Sequence, residues 1–139
     1  MIVDTSAVLA VLFHERDAAR FAQAIAAADR CRISAANFAE AALAVDLQTD
    51  AAGDRQFDSF FRRSGIAIEP VTEEQAHLAR QAYFDFGKGR HPAGLNFGDC
   101  CLCARQGNRR TVVVQGQRLL EDRHCAGLSH SHPFGWWMT

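Results

Sequence analysis

Short apolar runs alternate along this chain with longer segments whose apolar residues recur every three or four positions, the rhythm of strands interleaved with helices. Met1-Ile2-Val3-Asp4 predicts a short buried strand that ends on an acid, followed after Thr5-Ser6 by an apolar helical run from Ala7 to Phe13. The alanine-rich stretch from Glu15 to Arg30 carries Ala18, Phe21, Ile25 and Ala28 at helical spacing. Cys31-Arg32-Ile33-Ser34 predicts a second strand, with Ser34 placed to cap a helix over Ala35–Leu47 that carries Glu40. Gly53 and Asp54 open a further helix with Phe57, Phe60 and Phe61 on one face. Ile66 to Pro70 predicts a third strand, halted by its proline.

Thr72, with Glu73 and Glu74 in the first turn, then starts a helix that runs to about Phe86. Three glycines and a proline between Gly87 and Gly94 forbid regular structure there and predict a loop. Asn96 is placed to cap a helix with Asp99 as its third residue. Strands that alternate with helices predict an α/β fold, a parallel sheet covered on both sides. The whole chain, 1–139, reads as one domain.

Composition narrows the function classes. No apolar run is long enough to span a membrane, and the N-terminus lacks the basic start and cleavage site of a signal peptide, so a cytoplasmic, soluble protein is expected. The net charge of −1 leaves no general basic footprint for nucleic acid. Any RNA contact must come from a local patch, or from metal ions that reverse the sign of an acidic pocket. Five cysteines, four of them between Cys100 and Cys125, argue against a disulfide framework.

Asp4, Glu40 and Asp99 stand at element ends or on apolar helices. In a parallel sheet the carboxyl ends of the strands share one rim, where ligands usually bind. Carboxylates gathered there repel one another, and a hard divalent cation such as Mg²⁺ or Mn²⁺ relieves the repulsion. Each acid also has a simpler reading. Asp4 can cap the helix after it, Asp99 can complement a helix dipole, and Glu40 can be a solvated edge residue.

Their order and context resemble a known family. Val3-Asp4-Thr5-Ser6-Ala7, then Ile33-Ser34-Ala35-Ala36-Asn37-Phe38-Ala39-Glu40-Ala41, then Gly87-Lys88-Gly89-Arg90-His91 leading into Gly94-Leu95-Asn96-Phe97-Gly98-Asp99-Cys100 resemble VapC-type PIN-domain toxins over residues 1–100. The resemblance implies a PIN-like parallel sheet flanked by helices, with Asp4, Glu40 and Asp99 as catalytic ligands of Mg²⁺ or Mn²⁺. It implies that Thr5 or Ser6 orients water or a carboxylate beside the ion. It also implies endoribonucleolytic cleavage of RNA by metal-activated water, a VapB-type antitoxin as partner, and a homodimer. Lys88, Arg90 and His91 form the one compact basic loop, beside Asp99, and are expected to hold RNA phosphates. As an ordinary glycine-rich loop, the segment would simply be solvated.

Beyond Cys100 the pattern changes, and residues 101–139 are expected to be an atypical, out-of-frame tail. Family members continue the helix with Phe-Ala-Tyr-Ala-Leu-Ala-Lys and a Leu-Leu-Phe-Lys-Gly strand and turn bearing a fourth acid. Ordinary codons for Leu102 to Ala126, read one base out of phase, spell Y-A-L-A-K-A-T-G-E-P-L-L-F-K-G-N-D-F-S-K-T-D-I-A. In that frame the fourth acid overlaps the codon of Arg118, so the tail as written lacks it, and Glu121 and Asp122 do not match the motif. A weakened metal site, a lost final strand and an unpaired sheet edge are the expected consequences. Cys101, Cys103, His124, Cys125, His130 and His132 include soft zinc ligands, but their spacing fits no standard finger or ribbon, and zinc is not expected.

Two other functions compete. A catalytically impaired PIN domain would dock the antitoxin and modulate its DNA binding without cutting RNA. An unrelated phosphoryl-transfer enzyme would share an acid after the first strand, but Ser6 stands where a phosphatase has its second acid, and no P-loop is present.

Overall fold

The computed structural model describes residues 1–49, 51–105 and 112–113. Among these residues four strands, β1 (Ile2–Val3), β2 (Arg32–Ser34), β3 (Ala67–Glu69) and β4 (Val112–Val113), form one sheet in the order β3-β2-β1-β4. All three pairings are parallel, with Ile2 opposite both Arg32 and Val112, and Ile33 opposite Ile68. Each parallel step needs a crossover, supplied by helices as the alternating pattern requires. Helices α1 (Thr5–Leu12) and α2 (Ala18–Ala27) join β1 to β2; α3 (Ala35–Gln48) and α4 (Ala51–Ser64) join β2 to β3. Between β3 and β4 lie α5 (Glu73–Phe86) and α6 (Phe97–Arg105). The fold is the α/β architecture expected of a PIN-like chain.

Local chemistry sets the helix starts. Asp4 accepts from the Ser6 N–H at 3.2 Å and so starts α1 at Thr5, two residues before the apolar run. Ser34 caps α3 by accepting from the Asn37 N–H at 3.0 Å. Thr72 and Gln75 exchange bonds in a capping box at α5. Before α2, His14 takes a left-handed backbone angle (φ 53°), and the turns around it confine that helix to the middle of the Glu15–Arg30 stretch. The Gly87–Gly94 segment is a loop closed by an isolated bridge between Gly87 and Leu95.

Two packed layers result. The larger core gathers Val3, Val8, Phe21, Ile25, Ile33, Val45 and Phe57 with α1–α4 around them. Phe38, Phe57 and Phe61 form a ring cluster with centroids 4.8–5.3 Å apart, which explains the phenylalanine face of α4. The smaller core, between α5 and α6, consists of Ala79, Ala82, Leu95, Cys100 and Cys101. The sheet is less completely covered than expected, since Ile68 on the edge strand β3 is 47% exposed.

One expectation about the C-terminal part is corrected. A final strand is present: Val112 and Val113 pair with β1 and cover the edge that was expected to be open. The β-branched run Thr111-Val112-Val113-Val114 suits that position whatever the history of the tail. Arg118, Glu121 and Asp122 lie outside the described residues, as do His124, Cys125, His130, His132 and the side chain of Cys103.

Candidate metal site

β1 and β2 end side by side, so the residues that follow them, Asp4-Thr5-Ser6 and Ser34 with the first turn of α3, occupy one rim of the sheet. The first turn of α6 closes over this rim. Asp4 is 5% exposed. Its Oδ2 accepts from both the N–H and the hydroxyl of Ser6, and its Oδ1 accepts from Asn37 Nδ2 at 3.3 Å. The capping role that the sequence allowed for Asp4 is therefore realised. Burial raises its pKa above the ordinary carboxylate value, the Ser6 bonds pull it back, and the charge of Asp99 raises it further.

Asp99 is half-buried in the first turn of α6. Asn96 accepts from the Asp99 N–H at 2.8 Å, and Asp99 Oδ2 accepts from the Asn96 N–H at 2.8 Å, a reciprocal cap that locks this carboxylate to the helix start. Glu40 is also half-buried, and its Oε2 accepts from the Thr5 hydroxyl at 2.6 Å. Its negative charge adds to burial in pushing the Cys101 thiol up to about 11, with burial the larger cause. Cys101 is therefore a protonated, inert core residue at neutral pH.

Asp4 and Asp99 thus lie within electrostatic reach of each other, and Glu40 stands against Thr5 and the first turn of α6. Among the described residues, no three His, Cys, Asp or Glu side chains form a ready-made metal cage. The three acids meet around a polar cluster instead of touching directly.

At the middle of that cluster is Asn37, which sequence reasoning quoted in its motif but gave no role. Its side chain is fully buried. Its Oδ1 accepts from Ser34 Oγ at 2.5 Å, and its amide reaches Asp4 Oδ1, Thr5 Oγ1 at 3.2 Å and the Gly98 carbonyl at 3.4 Å. Gly98 was missed as well. A Cβ there would sit 2.6 Å from Glu40 Oε2 and 3.0 Å from Asn37 Nδ2, so a side chain would collide with the cluster. Asn37 stands in the first turn of α3, where a short polar residue is ordinary, so its type alone gave no signal.

The basic loop is more structured than a free phosphate clamp. The Arg90 guanidinium lies over the rings of Phe84 (5.2 Å) and Tyr83 (5.9 Å). His91 Nδ1 accepts from the Ala93 N–H at 3.0 Å, and its ring meets Phe86 edge-on. Lys88 borders a groove of about 680 Å³ between α5 and α6, together with Tyr83, Asn96 and Phe97. No helix among the described residues is long and apolar enough to cross a membrane.

Comparison with known proteins gives one consistent result. The PIN domain profile matches residues 1–105. Ribonuclease VapC28 of Mycobacterium tuberculosis is 51% identical over 115 residues, which cover 82% of this chain and 86% of the relative. Ribonuclease VapC30 of the same species is 42% identical over 100 residues, covering 72% of this chain and 76% of the relative. A ribonuclease VapC of Mycolicibacterium smegmatis is 40% identical over 120 residues, covering 86% and 88%. The 115- and 120-residue matches extend past the first hundred residues.

Proposed function

The chain belongs to the PIN-domain family, in its VapC-type branch, and from that premise we propose that it is the ribonuclease toxin of a toxin–antitoxin pair, with Asp4, Glu40 and Asp99 holding the divalent ion that cleavage needs. Ribonucleases of this family generally use a divalent metal. One observation carries the assignment of residues: the buried Asn37 amide contacts Asp4, the Gly98 carbonyl just before Asp99, and Thr5, whose hydroxyl donates to Glu40. Carboxylates drawn toward one buried polar cluster repel one another, and a cation bound between them would relieve that repulsion. All the donors are hard oxygens, which fits Mg²⁺ or Mn²⁺ and not a softer ion.

Such an ion, when bound, would supply a Lewis acid for a phosphoryl oxygen and would lower the pKa of a water poised to attack phosphorus. The protein's own groups do the positioning. Ser6 and Asn37 hold Asp4, Thr5 holds Glu40, and Asn96 holds Asp99, so each carboxylate keeps its direction without the substrate. Lys88 and Arg90 offer RNA cationic groups beside Asp99, with His91 next to them in the loop and the exposed ring of Phe97 available for base stacking. A VapB-type antitoxin is the expected partner, and the cytoplasm, where both RNA and antitoxin reside, is the expected compartment. Leu43 (61% exposed) and Leu47 (85% exposed), one turn apart on α3, give apolar area for a homodimer.

The test is RNA cleavage by the purified chain with Mg²⁺ or Mn²⁺, with EDTA and with Asp4→Asn and Asp99→Asn. Cleavage that requires the metal and both aspartates supports the assignment. Cleavage that survives EDTA refutes it. Binding of antitoxin without any cleavage would mark this chain as an impaired toxin that retains only its docking function.

A further inference from the structure

We infer that Asn37 is the positioning residue that sets the spacing of the two aspartates of the metal site. The inference rests on the functional reading above. Asp4 and Asp99 are carried by different parts of the fold, β1 with α1 on one side and α6 on the other, and each stands outside the strands themselves. The Asn37 amide spans the gap. It donates to Asp4 Oδ1 at 3.3 Å and reaches the carbonyl of Gly98, the residue before Asp99, at 3.4 Å. The same amide donates to Thr5 Oγ1, which in turn donates to Glu40 Oε2, so all three acids are referenced to one side chain.

That side chain is itself immobilised. It is fully buried, lies on the first turn of α3, and has its carbonyl oxygen fixed by Ser34 Oγ and its own N–H bonded to the same hydroxyl. Gly98 supplies the complementary surface: only a residue without a Cβ lets the α6 turn approach the amide and Glu40 this closely. An uncharged donor suits the task. A lysine or arginine there would neutralise Asp4 and compete with the cation, whereas an amide orients the carboxylate and leaves its charge for the ion.

The experiment is Mn²⁺ affinity of the full chain by electron paramagnetic resonance, at a temperature where circular dichroism shows every variant folded. Asn37→Ala is expected to weaken the dissociation constant by roughly 10–100-fold, the usual effect of losing a group that orients a metal ligand. Ile25→Val, a core change away from the site, is expected to lower the melting temperature without moving that constant. If Asn37→Ala does not fold, Asn37→Ser, which keeps a small polar group but cannot span from Asp4 to Gly98, is expected to show the same loss. A folded Asn37→Ala or Asn37→Ser with wild-type Mn²⁺ affinity overturns the inference and leaves the metal site standing. Failure of the wild-type chain to bind Mn²⁺ overturns both.

Discussion

The two layers of this molecule are unequal, and each carries part of the candidate site. The sheet layer, with Asp4, Asn37 and Glu40, is built on large side chains: Ile33, Val45, Phe21 and the Phe38–Phe57–Phe61 cluster. The α5–α6 layer, with Asp99, is built on alanines, cysteines and one buried leucine. Hydrophobic stabilisation scales with buried apolar area, so the first layer supplies most of the cohesion and the second depends on being held against it. Global stability and site geometry should therefore respond to different substitutions.

The largest effect is expected in the sheet layer. Phe57→Ala removes a ring from the three-phenylalanine cluster and should destabilise the fold by about 3–5 kcal/mol in urea unfolding, while a chain kept folded by cooling should retain its Mn²⁺ affinity. Leu95→Ala should cost less, about 2–3 kcal/mol, yet should weaken Mn²⁺ binding, because Leu95 packs the small core next to the Asn96–Asp99 cap. Equal behaviour of these two variants in both assays would erase the distinction between the layers.

Thr5→Val tests the polar seam at nearly constant volume. It removes the donor to Glu40 and one acceptor of Asn37, and should lower stability by about 1 kcal/mol and RNA cleavage disproportionately more. The smallest effect concerns pH. Asp4 has a folded pKa above its ordinary value, so the metal-free fold binds its proton more tightly than the unfolded chain does. Its contribution is fully present below the unfolded value and is lost as pH rises through the folded one. Wild-type stability relative to Asp4→Asn should fall across that window without metal, and saturating Mg²⁺ should reverse the fall.

Much of the architecture was legible from periodicity and capping residues. Phe21 and Ile25 in α2, Ser34 before α3, and Thr72 before α5 each state a local preference that the tertiary structure keeps. Strand lengths were less legible, because a strand exists only where a neighbour pairs with it. Cys31 and Pro70 fall just outside β2 and β3, although the Cys31 carbonyl accepts from the Ala67 N–H at 3.0 Å. β4 escaped because the change of pattern after Cys100 outweighed a plain β-branched run at Val112 and Val113. The three acids could be named from spacing and resemblance, but the group among them could not. The role of Asn37 exists only once residues 4, 5 and 98 are brought to it, which is a property of the fold and not of any local window.

In the proposed site Asp4 and Asp99 act together on one ion. Mn²⁺ titration of the wild-type chain, Asp4→Asn, Asp99→Asn and the double variant tests it most directly. Each single change is expected to weaken binding by more than the roughly 10–100-fold that follows loss of an outer partner, and the double variant to be scarcely worse than either. Wild-type affinity in either single variant, or losses that simply add, would contradict a shared ion.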